Sequence, residues 1–166
     1  MKIVNLALRA LQFFMALLIM AIIGNAIAMG ADSPVNNYTM FCAAFAMLCL
    51  FFLLPATFKE EWSVMPFLPF VLDLLLVLFW FCGAVALAAE LGVHSCNNDD
   101  YVSSNRVIRG ARNQHSACRE AQASCAFLWF GWACFVGSAA ITGMAMRGGG
   151  APRGGIRRGG PVMSQV

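Results

Sequence analysis

Apolar residues run through this chain in four long blocks, with short polar breaks between most of them. The first block covers 10–29, where Gln12 and Asn25 are the only strongly polar members. A turn with Pro34 and two asparagines leads into the second, 38–58, which has Pro55 near its end. The third, 64–91, becomes regular near Pro69 and contains Asp73 and Glu90; the fourth, 121–146, holds Trp129 and Trp132. About twenty helical residues at 1.5 Å each span the roughly 30 Å core of a bilayer, so each block predicts a membrane-crossing helix. The segment 92–120 is the one long polar stretch with apolar runs on both sides, and it reads as a loop in one aqueous compartment.

Composition supports the pattern. Of 166 residues, 60% are hydrophobic and 11% charged, against about 25% charged in a soluble domain. Between Ala10 and Phe58 the only charged side chain is Asp32. Too few polar residues remain to cover a water-exposed surface, so the chain is read as an all-α membrane protein, a four-transmembrane-helix bundle over 1–146. The remaining 147–166 form a low-complexity tail rich in glycine and arginine.

The first block competes with a signal peptide, in which Lys2 and Arg9 would be the basic region and Ala26–Ile27–Ala28 the cleavage site. It is longer than an ordinary signal core, so a retained helix is expected. Four spans put both termini on one side. Seven basic residues lie there (Lys2, Arg9, Lys59, Arg147, Arg153, Arg157, Arg158) against four in the loop (Arg106, Arg109, Arg112, Arg119). The positive-inside rule then places the termini in the cytosol and the loop outside. Trp62 reads as an interfacial anchor. The tail arginines suit anionic inner-leaflet lipids better than nucleic acid, despite their RGG spacing.

Small residues recur four apart at Gly24 and Ala28, Ala84 and Ala88, Ala133 and Gly137, and Ala139 and Gly143. Such pairs let helix backbones approach closely in lipid. Asp73 lies where a bare charge is costly, so it is expected to face the bundle, protonated or partnered, with Arg9, Gln12 and Ser138 as partners at similar depth. As a second reading, Asp73 or Glu90 would be the ion site of a small transporter or channel. No span pairs a nucleophile with a base and an orienting acid, so no catalytic residue is assigned. No cofactor is expected.

Within the loop, His94-x-Cys96 and His115-x-x-Cys118 match a four-ligand zinc set. A Cys96–Cys118 disulfide fits the same residues and is favoured in an oxidising compartment; free thiols are the third option. The other five cysteines lie in apolar blocks, where a thiol acts as a small hydrophobe.

The loop also carries a resemblance. HSCNNDDYV at 94–102, Ser104–Asn105, Gly110, and Cys118–Arg119 with Ala121–Gln122–Ala123 and AFLWF closely resemble the fungal non-classical export proteins. VLDLL around Asp73 and the Ser164–Gln165–Val166 ending extend the likeness, which is weak in the first two spans and in the Gly/Arg-rich tail. The resemblance implies a MARVEL-like fold and a non-enzymatic, multi-pass organiser of eisosome-type furrows in the plasma membrane. It links the chain to sphingolipid sensing, membrane curvature and unconventional export. Implied partners are membrane lipids (sphingolipid or sterol) and eisosome proteins, while the small-residue helix faces also suit self-association with further copies of the chain. The outer motif, His94, Ser95, Asn97, Asn98, Tyr101 and Asn105, would stabilise the fold, touch headgroups or bind a partner.

Overall fold

The structure, a computed structural model, describes residues 2–58, 67–92 and 94–149. It contains α1 (Lys2–Ala28), α2 (Pro34–Phe58), α3 (Leu68–Leu91), the short α4 (Asp99–Ser104) and α5 (Gln114–Gly149), and no strand among the described residues. All but α4 are long and apolar enough to cross a membrane. Even α3, at 24 residues, is about 36 Å long, more than a bilayer core requires.

Local chemistry sets the ends. Pro34 opens α2, where its missing N–H costs nothing, and the Ser33 hydroxyl accepts the Asn36 amide at 3.1 Å as a cap. α2 therefore starts a turn before 38. Gly92, at φ 64°, closes α3, and its N–H returns to the Ala88 carbonyl. The fourth long helix starts well before 121: the Asn113 side chain accepts from the Ser116 amide at 3.2 Å and caps it. The reading of 92–120 as one loop is corrected accordingly, since its last seven residues are helix and α4 lies within it. Trp62 and Lys59 lie outside the described residues.

The four long helices pack as a square, α1 against α2 and α5, and α3 against α2 and α5. Ile19, Ile23, Leu50, Leu76, Leu128 and Phe135 fill the centre, while Phe14, Leu48, Phe51, Leu78 and Phe130 face outward. An apolar exterior belongs to lipid, so burial of oily area cannot drive the packing and shape must. Ala16, Ala43, Ala46 and Ala84 let the backbones close in. Gly131 does more: a Cβ there would overlap the ring of Trp80. That ring is fully buried and meets Phe135 edge-on at 5.0 Å.

Candidate functional site

Two polar constellations stand out, one at the end of the bundle that carries the termini and one at the loop end. At the terminal end, Arg9 from α1 and Asp73 from α3 are both buried. The guanidinium grips the carboxylate at both oxygens: Nη1 pairs with Oδ1, and Nη2 donates to Oδ2 at 2.7 Å. Gln12 and Ser138 complete the ring, with Gln12 Oε1 accepting from Arg9 at 3.2 Å. Gln12 Nε2 donates to the Ser138 hydroxyl at 2.8 Å and to the Cys134 carbonyl at 2.9 Å. The Thr142 hydroxyl, 3.2 Å from Asp73 Oδ2, adds a group that hydropathy did not single out, although it stands one helical turn after Ser138. The fork-to-fork geometry is the one that best offsets removal of two charges from water. It ties α1, α3 and α5 together, and it leaves Asp73 fully engaged rather than open to a passing ion.

At the loop end the chain folds back into a clasp. Cys96 and Cys118 form a disulfide with Cα atoms 5.7 Å apart. This takes both sulfurs out of any zinc set, and among the described residues no group of three or more His, Cys, Asp or Glu could hold a metal. The last carbonyls of α3 would otherwise be orphaned. Tyr101 of α4 and Asn105, one turn on at its C-terminal cap, satisfy them: the Tyr101 hydroxyl donates to the Leu91 carbonyl, and Asn105 Nδ2 donates to the Glu90 carbonyl at 2.8 Å. Burial pushes the Tyr101 phenol above its ordinary value. Asn98 makes this short helix possible by accepting the amides of Asp100 and Tyr101, and Asp99 and Asp100 sit favourably at its positive end. The His94 ring packs on Tyr101 at 4.9 Å, and Gln122 donates to the His94 carbonyl at 3.0 Å. His115 Nδ1 lies 2.6 Å from the Cys96 carbonyl, and Nε2 3.2 Å from Asp99. Ser95 accepts the exposed Asn97 amide within the turn.

The clasp also grips the α1–α2 turn. The Arg112 amide donates to the Met29 carbonyl at 2.9 Å, and Asn36 bridges the Ala31 and Val107 carbonyls. Gly30, at φ 102°, meets Gly110 backbone to backbone, leaving no room for a Cβ on either. Val102, Val107, Ile108 and Ala111 are buried beneath.

Other sequence-selected residues stand apart. Glu90, expected as an intramembrane polar residue and alternative ion site, is exposed in the last turn of α3 at the loop end, and among the described residues its carbonyl rather than its carboxylate is hydrogen-bonded. Asn25 lies in the last turn of α1 and donates to Glu120 Oε1 at 2.7 Å. Glu120 was hidden by the loop reading of its segment. Arg147 is in the last turn of α5; Arg153, Arg157 and Arg158 lie outside the described residues.

The arrangement defines a class: a multi-pass, four-helix membrane protein whose conspicuous polar groups join its own helices. Residues 2–141 match the MARVEL family, described as a membrane-associating domain. Non-classical export protein 102 of Candida albicans is 33% identical over 172 residues, covering 98% of this chain and 97% of that one. Non-classical export protein 2 of Saccharomyces cerevisiae is 38% identical over 101 residues, covering 60% of this chain and 56% of that one. Its homolog 1 from the same yeast is 35% identical over 143 residues, 78% of each. No solved structure matches the chain. The chain belongs to the MARVEL family, alongside the non-classical export proteins of yeasts.

Proposed function

We propose that the protein is a non-enzymatic organiser of eisosome-type furrow domains in the plasma membrane, coupled to sphingolipid sensing, membrane curvature and unconventional export. The observation that carries the reading is the near full-length likeness to a protein named for non-classical export. The engagement of Asp73 by Arg9 and Thr142 supports an organiser over a transporter, because a conducting site needs a carboxylate that can be vacated. In this reading both termini are cytosolic, and the basic residues of 147–166 add about 1 kcal/mol of attraction each to the anionic leaflet. The disulfide supports that orientation, since such bonds persist in oxidising compartments. The partners are membrane lipids, eisosome proteins and further copies of the chain; nucleic acid is not among them.

Imaging beside a furrow marker tests this. The protein is expected in static patches that disperse when sphingolipid synthesis is inhibited. A uniform distribution that ignores the inhibitor overturns the reading. Protease accessibility of terminal tags in sealed vesicles tests the orientation, and cleavage of both tags from outside reverses it.

A further inference from the structure

Between α4 and α5 the chain reads Arg106-Val107-Ile108-Arg109-Gly110-Ala111-Arg112. Val107, Ile108 and Ala111 are buried against the bundle. The turn therefore sends the arginines between them outward, and Arg106, Arg109 and Arg112 are all exposed. Backbone bonds fix the segment: the Arg109 amide returns to the Asn105 carbonyl at 2.9 Å, and the Ala111 amide to the Ile108 carbonyl at 2.9 Å.

These charges are unspent within the protein. The ion pairs among the described residues are Arg9 with Asp73 and His115 with Asp99, so none of the three guanidiniums is paired. Acids at the same end of the bundle are engaged elsewhere. Asp32 accepts from Asn37 at 2.6 Å, Asp99 faces His115 at 3.2 Å, and Glu120 accepts from Asn25 at 2.7 Å. Like charges gathered on one short segment repel each other, and an anion relieves them.

Depth limits what the anion is. α1 has 27 residues, about 40 Å at 1.5 Å each, which matches the roughly 40–45 Å of a bilayer with its headgroups. The loop end of α1 therefore reaches the headgroup layer. The arginine segment is tied to that level. The Arg112 amide donates to the Met29 carbonyl at 2.9 Å, and Asn36 Nδ2 donates to the Val107 carbonyl at 3.2 Å. Lipid phosphates lie in this layer, and a guanidinium offers a planar fork of N–H groups that fits two phosphate oxygens. A zwitterionic headgroup cancels its phosphate with its own cation, so an anionic headgroup is the better ligand. We propose that Arg106, Arg109 and Arg112 form a binding site for anionic phosphate headgroups in the leaflet at the loop end. The site does not rest on the function proposed above, nor on which compartment the loop faces.

The test uses the full chain in phosphatidylcholine nanodiscs with or without phosphatidylglycerol, whose phosphodiester lacks a cancelling amine. Lipid retention by native mass spectrometry and the thermal midpoint are read. Arg106→Gln, Arg109→Gln and Arg112→Gln alter exposed side chains, so each alone and all three combined are expected to match the parent midpoint in plain phosphatidylcholine. The parent is expected to retain phosphatidylglycerol in preference to phosphatidylcholine. Each single substitution is expected to weaken that retention about fivefold, the worth of one basic residue near an anionic surface. The combined variant is expected to lose on the order of a hundredfold. Lysine at all three positions keeps the charge without the fork, and is expected to fall between parent and combined glutamine variant. Equal retention by the parent and the combined glutamine variant overturns the site. Arg119→Gln removes a charge from α5 outside the segment and is expected to leave retention unchanged. A loss there equal to that of one segment arginine means diffuse attraction and overturns the site as well. A lysine variant that equals the parent overturns recognition by the fork. Displacement of the lipid by millimolar inorganic phosphate assigns the arginines to a soluble anion, displacement by a polyglutamate peptide assigns them to an acidic protein, and either result overturns the headgroup assignment.

Discussion

At the terminal end of the bundle, three helices meet through one ion pair ringed by Gln12, Ser138 and Thr142. At the loop end, the chain is fastened by a disulfide and by side chains that each take one backbone carbonyl. The first region is all or nothing. Its two charges are tolerable in a low-dielectric interior only together, so either alone is a liability. The second is distributed. Its Tyr101, Asn105 and Gln122 hydrogen bonds are part-buried or exposed, where water can replace a lost partner, so each of these three is separately dispensable. Polar groups at lipid depth must be few and mutually exclusive in pairing, whereas those at the interface are allowed to be many and weak.

The largest expected effect comes from splitting the buried pair. Asp73→Leu leaves the Arg9 guanidinium uncompensated and is expected to cost about 3–5 kcal/mol, as for other broken buried pairs. Asp73→Asn keeps a hydrogen-bonding shape but not the charge, and is expected to fall in the same direction. Combining Arg9→Met with Asp73→Leu removes both charges and is expected to recover most of the loss. Unfolding in a denaturing-detergent titration of the parent, Arg9→Met alone, Asp73→Leu alone and the combined variant gives a double-mutant cycle, with Asp73→Asn measured beside it. Additive single effects would mean that the two ends of the bundle do not differ in kind.

Next in size is the disulfide. Its Cys96 and Cys118 are 22 residues apart, a loop whose closure is worth roughly 3 kcal/mol in the chain-entropy model. Replacing both by serine is expected to lower the thermal midpoint of the detergent-solubilised protein and leave the Arg9–Asp73 coupling unchanged, because distant sites add. A coupling altered along with the midpoint would show that the clasp and the buried pair act as one unit.

These regions were not equally readable from the sequence. The long helices were, because unbroken apolar runs of about twenty residues admit few other structures. Asp73 and Arg9 were also readable, since a charge in such a run has very few partners. The start of α5 was not: Gln114 to Glu120 mixes polar residues with small ones, and only the cap at Asn113 marks it as helix. α4, at six residues, is too short for any periodicity to register, and its purpose appears only once the carbonyls of Glu90 and Leu91 are seen to need donors. Gly131 gives no small-residue signal, because the residues four away on its own helix are Phe127 and Phe135, whereas its partner, Trp80, is a large ring on another.

The smallest expected effect concerns Tyr101. Its hydroxyl caps α3 through the Leu91 carbonyl, and burial raises its ionisation above the ordinary value of about 10. The folded state therefore holds the phenolic proton more tightly than the unfolded chain does. The associated stability is fully present below about pH 10, and it declines as pH rises toward the higher folded value, because the unfolded chain ionises first. Tyr101→Phe is expected to cost about 1 kcal/mol near neutrality, the ordinary worth of a neutral hydrogen bond. The gap between parent and variant is then expected to narrow as pH rises past about 10. Thermal midpoints of the two proteins in matched alkaline buffers measure that gap, and alkaline damage common to both cancels in the difference. A gap that stays constant through this range would mean that the phenol keeps its proton without cost in either state, and that the Tyr101 cap is held by the packing of His94 rather than by its hydrogen bond.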